Sequence, residues 1–479
     1  MNYNSIWLKD IEEQRSPSLK KDKKVDVLII GGGITGMSIA YELANSGLNI
    51  CLVEKNIIGH VVTSRSTAKL TYLQETIYSD LTKYHSKDIA KKYLKSQIEA
   101  IRTVENIVKT NKIDCDFTKV SSYIFANNDK NIGKILKEKK ILQSFGIKVS
   151  ECRVLPNDLK CKKAIYLYST AVFHPLKYLQ GLKRIISNKI DIYENTKINK
   201  IRKENNTYIC EAGNNKIVAK KVIIATHYPY FLKPYLFPLK SSLEKSYITA
   251  YKTNNNLSFS AITVGKPTES YRYHNNYEIY LSDSHNISFK NNIYNHYQNL
   301  TNRLKKEPEF FWSNKDIITI DKLPYIGRLK SELYIATGYN TWGMTNGVIA
   351  GKVIADLVLN KQNEYIELFN PHRSTGMLKI FKYILNIFNN TSSFIVSKIY
   401  KNKSYYKKVK FSKIGKDNVG IYIDENNKKH IVYNRCPHLK CGLIFNEIEK
   451  TWECPCHGSR FDIDGNCLEG PSNYNIKYK

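Results

Sequence analysis

The sequence predicts an α/β fold that ends in a small all-β module. Three observations carry this. The apolar run "VDVLII" at 25–30 leads directly into "GGGITG" at 31–36. A second strand–turn–helix pattern, "ELYIATGYNTWGMTNGVIAGKVIADLVLN", starts at Glu332. Four cysteines and two histidines fall between Cys436 and Phe461, amid short strand and turn signals.

The elements follow in order. Residues 25–30 form a buried-strand run, helix signals cover 35–46, and a second strand covers 50–54; strand–turn–helix–strand at this length is a βαβ unit. One amphipathic helix is predicted over 79–110, where Leu94, Ile98, Ile101, Val104 and Val108 make a single apolar stripe that belongs to the core. A strand ends in "KVIIATHYPY" at 221–230. Residues 374–406 read as helical, basic and amphipathic. That character suits a connector packing the last module onto the first, or a segment lying on a membrane surface. From about 409 onward short strands and turns make a β module.

The chain has 479 residues, room for several domains, and 42% of them are hydrophobic, which excludes a disordered chain. The net charge is +31, but lysines are scattered along the whole length and no nucleic-acid motif accompanies them. The charge therefore reads as solvated surface, with no nucleic-acid partner. The N-terminal stretch has neither an apolar core nor a small-residue cleavage site, and no apolar run reaches ~18 residues. Five cysteines are dispersed before residue 436, as buried thiols are. These features point to a cytoplasmic protein without a transmembrane segment.

Gly31, Gly33 and Gly36 supply G-x-G-x-x-G after a strand and at a helix start. The first permits a tight turn, the second lets a pyrophosphate approach the backbone, and the third lets helix and strand pack closely. The helix N-terminus offers N–H groups and partial positive charge to phosphates. Glu54 closes the next strand, where an acid accepts from a ribose diol. The motif implies a dinucleotide but does not separate FAD from NAD.

Cys436-x-His438 and Cys454-x-x-His457 place one Cys and one His in each of two loops. Zinc fingers pair like ligands as C-x₂₋₄-C and H-x₃₋₅-H. The mixed pairing here is the ligand set of a Rieske [2Fe–2S] centre, with thiolates on one iron and imidazoles on the other. Ser459 supplies a hydroxyl that raises the potential, while Phe461 stands where a second donor, a tyrosine, is common. A middle-range potential is expected, rising on Phe461→Tyr. Cys467 lies outside the pattern and reads as a buried thiol.

The order of 31–36, "STAKLT" at 66–71, "FHPLKYLQGL" at 173–182, "IIATHYPY" at 223–230, "DKLPYIGR" at 321–328 and "ATGYNTWGMTNG" at 336–347 resembles FAD-dependent oxidoreductases of the D-amino-acid oxidase/glycine oxidase superfamily. It is most similar to the bacterial subgroup with a C-terminal Rieske domain. The resemblance implies a Rossmann-like FAD-binding domain near 25–80, 160–230 and 320–372. An antiparallel-sheet substrate domain would occupy 81–159 and 231–319. Residues 1–372 would be the oxidoreductase region, 373–406 the linker and 407–479 the Rieske domain. It further implies flavin or phosphate contacts from Thr67, Ala68, Lys69, Ala225, Thr226 and Gly338. Trp342, Gly343, Met344 and Thr345 would open a helix whose N-terminus faces the flavin pyrimidine. Rieske proteins of the cytochrome bc type imply a Cys441–Cys456 disulfide.

The expected function is an FAD-dependent dehydrogenase. It would oxidise a small amine or amino-acid-like substrate and pass electrons through the cluster to a one-electron acceptor, a protein or a quinone. Peripheral membrane contact through the linker fits the same scheme. By resemblance, Arg272, Tyr247 and His174 are candidate substrate residues, with His227 near the pocket. Residues 255–300 depart from the family pattern, and no catalytic acid or base is assigned. The alternative is an electron-transfer or redox-sensing protein without a small organic substrate. A single GxGxxG leaves no separate nicotinamide domain, and no two-His-one-carboxylate set marks a Rieske oxygenase.

Overall fold

A computed structural model of the chain describes residues 4–9, 11–229, 240–255, 257–287, 293–304, 307–373, 407–472 and 474–478. The expected linker at 373–406 lies almost wholly outside them.

Lys23–Ile30 is the centre of the first sheet. It pairs in parallel with Asn215–Ile224 on one side and Ile50–Val53 on the other. Asp191–Tyr193 and Leu333–Thr337 extend the parallel set, and Tyr325–Lys330 closes one edge antiparallel. Val27, Leu28 and Ile29 are fully buried because both faces of the sheet are covered. That two-sided burial is what a nearly continuous apolar run encodes. The helices Ile34–Leu43 and Gly343–Val358 pack together on one face at close range. A Cβ on Gly351 would sit 2.7 Å from Ser38 Cβ, and one on Gly347 2.8 Å from Ile34 Cγ2.

A second, nine-stranded sheet runs in the order Phe310–Thr319, Ser241–Lys252, Tyr277–Asn286, Glu269–His274, Phe259–Thr263, Thr118–Ala126, Lys160–Val172 and Lys69–Leu70, with Ser150–Val154 pairing beside Lys160–Val172. This corrects the expected division. Lys160–Val172, assigned to the nucleotide fold, pairs with Thr118–Ala126 in the second sheet.

The single helix expected over 79–110 is two, Ile77–Tyr84 and Lys87–Thr110. The chain breaks at Ser86, whose extended backbone lets its Oγ accept from Ile89 N–H. A serine in that position caps a new helix, a local signal that the long apolar stripe hid.

The C-terminal module holds a three-stranded sheet (Val409–Ile414, Asp417–Ile423, Lys429–Tyr433) and a four-stranded one (Ile444–Asn446, Thr451–Glu453, Arg460–Phe461, Cys467–Glu469). Trp452, Phe461, Val432 and Leu443, all fully buried, make its core. Among the described residues no helix is long and apolar enough to cross a membrane.

Candidate functional site

The glycine-rich loop sits at the carboxyl ends of the parallel strands. Gly31 has φ +112°, and a Cβ there would approach Ala225 O to 2.8 Å. A Cβ on Gly36 would collide with Gly31 O. Gly33 caps the helix Ile34–Leu43 without a side chain of its own, and Thr63 Oγ1 accepts from Ile34 N–H. Glu54 follows Val53 and accepts from Gly32 N–H at 2.8 Å and Asn56 N–H at 2.9 Å. Burial raises its pKa, and these two bonds offset part of the rise. Backbone N–H groups, a bare helix start and a buried acid form a cradle that fits a dinucleotide.

From this cradle a cavity of about 240 Å³ runs past Thr67, Ala68 and Lys69, past Ala225, Thr226 and His227, and past Gly338, Trp342, Gly343 and Met344. It ends at His457, Gly458 and Ser472 of the C-terminal module. No side chain caps the first turn of the helix Gly343–Val358. Thr345 departs from expectation. It is buried away from the cavity, where its Oγ1 accepts from Gln74 Nε2 at 3.3 Å. Lys69 is buried too. Its Nζ donates to Ala261 O and Ser270 Oγ, and burial, then the nearby Arg272 charge, brings its pKa down to about 7. His227 Nε2 has no hydrogen-bond partner, and burial pushes that imidazole down to about 4.

In the C-terminal module two loops face one another. Cys436 N–H donates to Cys441 O, and Cys454 N–H to Ser459 O, each at 2.8 Å. The Cys436 and Cys454 side chains are 1% exposed. The rings of His438 and His457 stand 5.0 Å apart, nearly perpendicular, and His457 Nδ1 is buried with no hydrogen-bond partner. Cys441 and Cys456 form a disulfide that ties the two loops. Ser459 Oγ lies 3.7 Å from Cys436 Sγ and accepts from Ser472 N–H. Two buried thiols and two imidazoles, one with an orphaned nitrogen, suit a cluster that takes two thiolates and two neutral imidazoles. Cys467 is half-buried, with Sγ 3.1 Å from Ser472 O.

The module is seated on the second sheet by buried charge. Lys245 Nζ contacts both Glu453 carboxylate oxygens at 2.8 Å and lies 3.5 Å from Glu449. Lys315 Nζ is 2.7 Å from Glu469 and also donates to Gly458 O. Arg65 reaches Glu469 at 2.8 Å, and Ser313 Oγ donates to Glu449 at 2.6 Å. Within the module Arg460 contacts the same three glutamates.

Residues 26–357 match the family model described as FAD dependent oxidoreductase, and residues 397–478 match the Rieske [2Fe-2S] domain. The chain belongs to the FAD dependent oxidoreductase family. Its C-terminal module is a Rieske domain, so the protein binds FAD and a [2Fe–2S] cluster. The "Putative Rieske 2Fe-2S iron-sulfur protein YhfW" of Bacillus subtilis is 30% identical over 98% of this chain and 96% of its own length. The gamma-glutamylputrescine oxidoreductase of Escherichia coli is 23% identical over 74% of this chain and 88% of its own. Glycine oxidase from Geobacillus kaustophilus superposes with a TM-score of 0.61 at 18% identity, covering 74% of this chain and all of that one.

In this FAD dependent oxidoreductase the three candidate substrate residues lie outside the cavity wall. Arg272 is 1% exposed, and its guanidinium donates to the carbonyls of Thr67, Ala68 and Phe173 while stacking on Trp7. It braces the loop that lines the cavity. Tyr247 is stacked on His296 and Phe311. His174 caps the helix Pro175–Ile186 by accepting from Lys177 N–H. Sequence reasoning missed Glu75, Glu244, Asn314 and Asp316, which do line the cavity. It also missed the interdomain glutamates. The two-residue strand period along 310–319 could have marked Asn314 and Asp316 as sharing a face, but no spacing rule joins that face to Glu244 on another strand or to Glu75.

Proposed function

We propose that this enzyme oxidises a small amine or amino-acid-like substrate and passes the electrons to a one-electron acceptor, a protein or a quinone. The observation that carries the reading is one continuous cavity lined at one end by the glycine-rich loop and at the other by His457. When bound, FAD supplies two-electron oxidation of a C–H next to nitrogen, and the cluster supplies single-electron passage. In this reading Gly31, Gly33, Gly36 and Glu54 hold the dinucleotide, and Thr67, Ala68, Ala225, Thr226 and Gly338 shape the walls beside it. The N-terminus of the helix Gly343–Val358, opened by Trp342, would place partial positive charge against the flavin pyrimidine. Lys69, with a pKa near neutrality, is positioned to hold or release a proton at Nζ. Cys436 and Cys454 would ligate one iron, and His438 and His457 the other. The Cys441–Cys456 disulfide keeps the two ligand loops facing. The division into 1–372, 373–406 and 407–479 belongs to the same proposal. The amine named in the Escherichia coli relative supports this substrate class.

The test is anaerobic mixing with a panel of amines and amino acids, followed by absorbance and freeze-quench EPR. Flavin bleaching followed by a reduced-cluster signal within one turnover is the expected result. A cluster that stays oxidised beside a bleached flavin overturns the relay.

A further inference from the structure

Besides Glu54 and Glu469, three carboxylates, Glu75, Glu244 and Asp316, line the cavity. Glu244 and Asp316 are direct cross-strand partners, so two like charges face one another on one side of the sheet. That arrangement destabilises a sheet unless something else compensates. Asn314, on the same strand face as Asp316, donates through Nδ2 to Asp316 Oδ2 at 3.1 Å. Its Oδ1 is left without a partner, in a side chain only 8% exposed that also lines the cavity.

These groups border the helix start assigned above to the flavin. Gln74, next to Glu75, donates to Thr345 Oγ1, and Asn340 N–H donates to Ile317 O, next to Asp316. Nearby cations supply little compensation. Lys266 is 3.4 Å from Glu244 but 60% exposed. Lys322 acts on Glu75 only at a distance. Lys69 is held by Ala261 O and Ser270 Oγ, and Lys315 by Glu469 and Gly458 O. Burial pushes both Glu75 and Asp316 up to about 7, as expected of carboxylates short of positive charge. The arginine expected to hold a substrate carboxylate is occupied by three backbone carbonyls.

We propose that this end of the cavity binds an alkylammonium group, and that the substrate is a di- or polyamine rather than an amino acid. The inference rests on the amine-oxidoreductase reading for its place beside the flavin. Glu75, Glu244 and Asp316 supply the negative field, and Asn314 Oδ1 accepts one ammonium N–H. An amino-acid carboxylate entering here meets like charge and, among the described residues of the wall, no free cationic partner.

The test uses the FAD- and cluster-loaded full chain. Calorimetric titration with 1,4-diaminobutane, butylamine, 4-aminobutanoate and glycine should show the diamine binding, and both carboxylate-bearing probes binding at least about tenfold more weakly. Asp316→Asn and Glu244→Gln, each scored with its flavin content, should weaken the diamine by about tenfold. Glycine binding as tightly as the diamine, or no diamine binding at millimolar concentration, overturns the proposal, and these wild-type results decide it if a variant loses its flavin. Unchanged diamine affinity in both variants overturns it as well. Anaerobic flavin bleaching separates the two readings. Diamine binding with no bleaching by any amine leaves this site standing and removes the amine-oxidising reading. Bleaching by an amino acid with no diamine binding does the reverse.

Discussion

Ser459 shows how much one hydroxyl can decide. Its Oγ accepts from Ser472 N–H, so its own proton is available to Cys436 Sγ, 3.7 Å away. A hydrogen bond to a charged sulfur is worth about 1.5 kcal/mol. For one electron that is about 60 mV. Ser459→Ala should therefore lower the cluster potential by about that amount in an EPR-monitored redox titration, with the visible spectrum of the oxidised cluster otherwise retained. Gly36 is a second such residue. A Cβ there would strike Gly31 O, so Gly36→Ala should purify with little bound FAD while its cluster absorbance stays intact. Residues whose role is local were legible in the sequence, because spacing alone placed the glycines, Glu54 and the Cys/His loops. Arg272 was misread for the opposite reason. A buried guanidinium bracing carbonyls and one gripping a carboxylate look alike as letters, and only the fold shows which partner arrived.

At the scale of elements, the glycines of the helix Gly343–Val358 let it lie against Ile34–Leu43 with Gly351 over Ser38. Gly351→Ala inserts a methyl group into a gap too short for it. Overpacking of this kind costs about 1–3 kcal/mol, to be read as a lower denaturation midpoint, with easier loss of FAD because both helix N-termini meet the cradle. Ser86→Ala removes the cap of Lys87–Thr110 and should cost about 1 kcal/mol, measured by urea titration. The parallel strands and the helices beside them were readable from period and turn residues. The assignment of Lys160–Val172 was not, since strand propensity says nothing about which sheet a strand will join, and its partner Thr118–Ala126 is fixed by long-range pairing.

At the scale of the whole molecule, the two modules meet through buried charge that no sequence pattern announces. Lys245 and Glu453 are 208 residues apart. Lys245→Met leaves Glu449 and Glu453 facing a reduced positive field, and removal of one member of such a buried set costs about 3–5 kcal/mol. The expected result is a lower melting temperature and slower cluster reduction with flavin reduction by substrate unchanged. Adding Glu453→Gln should restore part of the loss. The pH dependence has a definite sign. Burial alone would raise the Glu469 carboxyl, but Lys315 and Arg65 hold it down at about 2, and Glu453 is likewise lowered by Lys245 and Lys315 against its burial. In the unfolded chain both groups return to their ordinary value of 4.5, so below it the unfolded chain binds more protons than the folded form, down to about 2 for Glu469. Their contribution is complete above about pH 5 and fades as acid is added toward pH 2, which calorimetric melts across that range will show.

The seam of lysines and glutamates also governs what can be exchanged. A cluster module grafted from another protein would arrive without partners for Lys245, Lys315 and Arg65, and would strand those cations beneath it. The two halves are thus a matched pair, and neither can be replaced unless its counterpart is rewritten.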